Sequence, residues 1–144
     1  MNKSTFIALT MSAASLAGLS GCGGSADSHL IDKPEFTSES GIFDIEALEA
    51  LGRVSGPQVS PDGAKILYGV SYESVEQNKS NNELYVMNLD GSEQTRLTKT
   101  PGSESGAVWI DGGERIAFTA ESEGKPQRWV MNADGSGRKV VSAL

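Results

Sequence analysis

An all-β fold of two four-stranded antiparallel sheets is what this 144-residue sequence predicts, and three observations predict it. A block of about 45 residues occurs twice between Val54 and Leu144, so one structural unit is used twice. Inside each copy, Asp-Gly pairs separate runs rich in β-branched and aromatic residues, the strongest short-range hairpin signal a sequence carries. The composition, 38% hydrophobic and 22% charged, can bury a core and is unlike that of a disordered chain. Four short strands per unit of about 45 residues describe a propeller blade. The chain therefore reads as two antiparallel blades of an incomplete β-propeller, preceded by a signal peptide, a flexible tether and one short helix.

Residues 1–21 form the leader. Met1-Asn2-Lys3 is a short positive start, and Thr5 to Leu19 is uncharged and largely apolar. That stretch is shorter than the roughly 20 residues a membrane-spanning helix needs. Leu19-Ser20-Gly21-Cys22 resembles a bacterial lipobox. The resemblance implies cleavage before Cys22, acylation of its thiol, and an exported protein held at the cell envelope by lipid. Each buried methylene of such an anchor contributes about 0.8 kcal/mol. Gly23 in the following position, in place of Asp, resembles a signal for the outer membrane. A buried structural role for Cys22 is disfavoured, because Gly21, Gly23 and Gly24 give the thiol nothing apolar to pack on. Residues 22–42, rich in Gly, Ser, Asp and Glu, read as the tether. His29, the sole histidine, lies in it as a solvated side chain.

Residues 43–52 change character. Ile45, Leu48 and Leu51 recur at helical spacing, Asp44 can cap the N-terminus, Glu46 suits the first turn and Gly52 can end the helix. So short a helix is marginal alone, and its apolar face is expected to pack on the residues C-terminal to it.

Residues 53–144 carry the repeat. Gln58 to Tyr68 is echoed by Ala107 to Phe118, with one additional Gly in the second copy, and Leu84 to Ser92 is echoed by Arg128 to Ser136. Four turns are expected at Asp62-Gly63, Asp90-Gly91, Asp111-Gly112 and Asp134-Gly135, where glycine supplies positive φ. The strands between them fall near 57–60, 65–71, 83–88 and 95–98, then 106–110, 115–120, 127–132 and 138–142. Tyr68, Tyr85, Phe118 and Trp129 occupy matching strand positions and read as packing between blades. The polar stretch Tyr72 to Asn82 reads as an overlong hairpin loop.

Composition also excludes functions. A net charge of −7 without a Lys/Arg cluster argues against nucleic acid as a partner. Removing the leader takes away Lys3 alone and leaves the chain more acidic still. One Cys and one His supply neither a disulfide nor an ordinary zinc site. The four turn aspartates lack the alternating oxygen-donor spacing of a calcium loop. No metal and no cofactor is expected.

Val59-Ser60-Pro61-Asp62-Gly63 followed by Lys65-Ile66-Leu67-Tyr68, and Leu84 through Gly91 followed by Arg96-Leu97-Thr98, resemble the propeller repeats of TolB-like proteins. The short helix running into Arg53-Val54-Ser55-Gly56-Pro57-Gln58-Val59-Ser60-Pro61-Asp62-Gly63 is similar to the entry of the propeller in the prolyl oligopeptidase family, above all its dipeptidyl and acylaminoacyl peptidase branches. In that family the propeller covers an α/β-hydrolase domain with a Ser-Asp-His triad and restricts entry to short peptides. None of those catalytic residues maps onto this sequence. A nucleophile elbow requires Gly-x-Ser-x-Gly, and Gly102-Ser103-Glu104-Ser105-Gly106 has Glu104 at its centre. No catalytic residue is assigned, and peptide substrate is expected only for a longer parent. Propellers close with four to eight blades, so two blades are expected to be the opening portion of a longer peptidase. The alternative is a non-catalytic TolB-like propeller lipoprotein that binds a protein or glycan. A TolB proper places an α/β domain before its first blade, which residues 43–52 leave no room for.

Overall fold

The structure, a computed structural model, describes residues 30–34, 41, 43–122 and 124–143. The leader, Cys22 and His29 lie outside the described residues. One helix and eight strands are arranged along the chain as α1 (Ile45–Glu49), β1 (Arg53–Val59), β2 (Lys65–Ser74), β3 (Lys79–Asn88), β4 (Thr95–Arg96), β5 (Glu104–Ile110), β6 (Arg115–Ser122), β7 (Lys125–Asn132) and β8 (Lys139–Ala143). They form two separate four-stranded antiparallel meanders, β1-β2-β3-β4 and β5-β6-β7-β8. This is the two-blade architecture expected from the repeat.

Strand parity explains where the core forms. On β6 and β7 the cross-strand partners Ile116 and Met131, and Phe118 and Trp129, share one face. Leu67 and Leu84 of the first blade project from the opposite parity and meet that face. Leu67, Leu84, Ile116, Phe118, Ala120 and Met131 form one cluster, flanked by Leu97, Ala107, Trp109 and Trp129. The core therefore lies between the blades, and neither blade has a separate one. Leu67, Ile116 and Phe118 are fully buried.

Each blade's first hairpin carries a bulge at the same place. Register shifts between Ser55 and Gln58 and between Ser105 and Val108, and Gly56 and Gly106 take φ 54 and 57 there. Glycine accepts that left-handed conformation without a Cβ clash.

Four readings are corrected. Tyr72 to Asn82 is mostly strand, because β2 and β3 pair out to Ser74 and Lys79, and only Val75 to Asn78 turn the chain. The alternating burial of Asn81 and Glu83 explains why so polar a stretch is extended. Helix α1 is capped as expected, the Ala47 N–H donating to Asp44 Oδ1 at 3.0 Å. However, it buries Ala47, while Ile45, Leu48 and Leu51 stay exposed. Gly52 acts by its size rather than as a left-handed cap, since a Cβ there would sit 2.8 Å from the Val70 side chain. Within the stretch read as tether, residues 30–34 are docked: Ile31 is buried and Asp32 pairs with Arg96 and, at 3.4 Å, with Lys99.

Candidate functional site

The turn residues singled out from sequence fall into three arrangements. In the β3–β4 and β7–β8 connections, the Ser92 and Ser136 backbone N–H groups and hydroxyls donate to Asp90 and Asp134, while Gly91 and Gly135 each take φ 86. Those hydroxyls, then the N–H groups, hold both carboxyls below the usual carboxylate range. Asp62 is likewise lowered, by the Ser60 hydroxyl and then the Ala64 N–H, with Gly63 at φ 74.

The fourth turn differs from expectation. The loops after β1 and β5 span the same register: Val59 pairs with Ile66, and Trp109 with Ile116, 50 residues on. No glycine is inserted. The Asp-Gly pair instead sits one place earlier in the second loop, so Gly113 (φ 101) stands where Gly63 does. Asp111 is forced to φ 52 inside a 3-10 turn and ion-pairs with Arg115 rather than bracing the turn. Asp62, Asp90 and Asp134 are thus occupied by their own turns, and Asp111 by Arg115.

The chemically dense region is the passage from blade 1 to blade 2. Glu83 of β3 and Glu104 of β5 are both buried, at 2% and 0% exposure. Glu83 Oε1 accepts from Asn81 Nδ2, from the Thr100 N–H and from Arg96 at 3.1 Å. Its Oε2 is buried without a partner. Glu104 accepts from Arg138 at 3.1 Å and from the Thr98 hydroxyl, and lies 2.9 Å from the Thr100 hydroxyl. Arg138 stacks over Trp129 and Phe118, 4.6 and 5.1 Å from their ring centres. Asn82 binds Ser103 and the Glu104 carbonyl, and the Trp109 indole donates to the Gln58 carbonyl at 3.3 Å, so polar bonds cross between the blades on both sides of the core. Sequence reading missed this cluster. Its signal was parity: Glu83 lies on the same strand face as Tyr85 and Met87, a charge in an apolar stripe.

The other concave surface is a groove of about 570 Å³ on the outer face of blade 1, lined by Leu51, Val54, Ile66, Tyr68, Tyr85 and Met87 among others. Tyr68 and Tyr85 stack there with centroids 5.7 Å apart. Burial raises both phenols above their usual value. These residues occupy the positions that Ile116, Phe118, Trp129 and Met131 hold on blade 2, where blade 1 covers them. Among the described residues, neither surface carries a nucleophile with an adjacent base.

Two propeller blades packed face to back define the class of protein. Residues 45–144 match the TolB beta propeller domain, and the chain belongs to that family. It is 32% identical over 108 residues to dipeptidyl-peptidase 5 of Porphyromonas endodontalis, covering 75% of this chain and 16% of that protein. To dipeptidyl-peptidase 5 of Porphyromonas gingivalis it is 40% identical over 82 residues, 57% of this chain and 12% of the relative. Among solved structures, an acylaminoacyl peptidase of Pyrococcus horikoshii superposes with a TM-score of 0.55 at 20% identity, over 67% of this chain and 15% of that one. The chain thus spans about one-sixth or less of the length of these relatives.

Proposed function

We propose that these residues are the lipid anchor, tether and first two blades of an envelope-bound serine peptidase of the prolyl oligopeptidase family. The propeller would restrict access of short peptides to an α/β-hydrolase domain carried elsewhere in the protein. The observation that carries this reading is the 40% identity to a dipeptidyl-peptidase over 82 residues. The uncovered face of blade 1 supports it, since the matching face of blade 2 is a buried contact between blades. A non-catalytic, TolB-like binding propeller is the second reading, favoured by the family match.

The nucleotide sequence beyond codon 144 separates the two. A frame encoding further blades and a Gly-x-Ser-x-Gly elbow, whose product cleaves dipeptidyl or acyl-amino-acid chromogenic substrates until a serine-directed inhibitor is added, supports the peptidase. A closed propeller without a hydrolase supports the binding protein. The 144 residues by themselves are expected to hydrolyse neither substrate class. Anchoring is tested separately: Cys22→Ser is expected to move the protein from the membrane fraction to the soluble fraction, and unchanged sedimentation with membranes contradicts the anchor.

A further inference from the structure

Of the four Asp-Gly turns, one lacks the bonds that restrain the others. An aspartyl carboxyl followed by glycine is open to attack by the glycine's own backbone nitrogen, because no Cβ on that residue hinders the approach. In three turns both reacting groups are tied. The nitrogens of Gly63, Gly91 and Gly135 donate to the carbonyls of Ser60, Asn88 and Asn132, each at 2.9 Å. The carboxyls of Asp62, Asp90 and Asp134 accept from the backbone N–H two residues on and from a serine hydroxyl. Those bonds also keep the three carboxyls ionised to lower pH, and the ionised form is the poorer electrophile.

At Asp111-Gly112 neither tie forms among the described residues. The Gly112 N–H donates to no carbonyl, and the Asp111 carboxyl meets the side chain of Arg115 instead of its own turn. That pair is open to water, with side-chain exposures of 42% and 43%, and so restrains little. Asp111, Gly112 and Gly113 all take positive φ, and a Cβ at Gly112 would meet no atom within 4 Å, so the turn has room to rearrange. We propose that Asp111 is a site of spontaneous covalent rearrangement, its bond to Gly112 converting to an isoaspartyl linkage in the folded protein while the other three Asp-Gly pairs are protected.

The step needs no oxidant, reductant or enzyme. The Gly112 nitrogen bonds to Asp111 Cγ, the Cγ–O bond breaks, and the hydroxyl leaves with the amide proton as water, closing a cyclic succinimide. Water then adds to either ring carbonyl. One opening restores aspartate, and the other leaves the main chain running through Cγ, one carbon longer. The added carbon enters the β5–β6 hairpin beside the paired residues Trp109 and Ile116, at the margin of the core between the blades. This inference does not depend on the peptidase reading.

The test is to incubate the purified 144-residue chain for weeks in neutral buffer, digest it, and map it by mass spectrometry with electron-transfer fragmentation, which distinguishes isoaspartate from aspartate. Isoaspartate at Asp111 is expected to exceed that at each of Asp62, Asp90 and Asp134 about tenfold or more, since reaction there must first break hydrogen bonds to both groups. A parallel incubation in concentrated urea removes the turns and is expected to bring the four positions to similar yields. Isoaspartate absent from Asp111, spread evenly over the folded chain, or concentrated at another of the four would overturn the proposal. A preference for Asp111 that survives in urea would overturn it too, because local sequence and not the fold would then be its cause.

Discussion

Blade 1 and blade 2 place the same kinds of side chain on the same face and bury them to different depths. Phe118 has no exposed surface, whereas Tyr68 at the matching position keeps 8% and lines an open groove. Ile116 and Met131 are buried, and their counterparts Ile66 and Met87 are half-buried. Strand pairing and parity are alike in the two blades, so the difference comes from the neighbour: blade 1 covers blade 2, whereas the described residues beside the outer face of blade 1 are Lys33, Gln94 and those around Ala50 to Val54, which leave an open groove. A blade in this fold acquires its core from the sheet beside it.

The largest test of that comparison is truncation at equivalent positions. Phe118→Ala is expected to cost about 3–5 kcal/mol by urea denaturation, and Tyr68→Ala distinctly less, because its face is already partly open. Equal losses would break the distinction. Gly135 and Gly91 make a sharper pair, sharing φ 86 and the same Asp-Gly-Ser sequence. A Cβ at Gly91 meets nothing, whereas one at Gly135 lies 3.0 Å from the Leu97 backbone oxygen of the other blade. Gly91→Ala should therefore cost about 1–2 kcal/mol from backbone strain alone, with Gly135→Ala costing more. The smallest expected effect is Asp44→Ala, about 1 kcal/mol for the loss of the α1 cap, and it should leave blade 2 unperturbed.

Acid adds a second axis to the comparison. Asp62, Asp90 and Asp134 titrate below the ordinary aspartate value in the folded chain. Their contribution is present above that value, about 3.9, and is lost as pH falls through the lowered folded values. Asp32 behaves in the same way, mainly through its bond to Arg96. Asp90→Asn and Asp134→Asn should each flatten the acid limb of a Tm-against-pH curve to a similar degree, since both turns have the same hydrogen bonds.

What was legible in the sequence was whatever depends on neighbours close along the chain. Asp-Gly pairs announced three of the four turns, alternation announced the central strands, and Asp44 announced the helix cap. Asp111 misled because its Asp-Gly pair is offset by one place, and only the strand register shows that Gly113 takes the role of Gly63. Helix α1 misled because apolar spacing does not say which surface is available. Ile45 and Leu48 have helical spacing and no partner sheet among the described residues. The Glu83–Thr100–Glu104 junction was hidden because it joins residues from β3, the connection and β5, whose approach exists only once the blades stack.

Native-state hydrogen exchange tests most directly whether the two blades share one core. The amides of Leu67 and Leu84 in blade 1 and of Ile116, Phe118 and Met131 in blade 2 are expected to open with one common free energy. Blade 1 amides retaining protection while those of blade 2 exchange freely, or the reverse, would contradict a core that belongs to the interface.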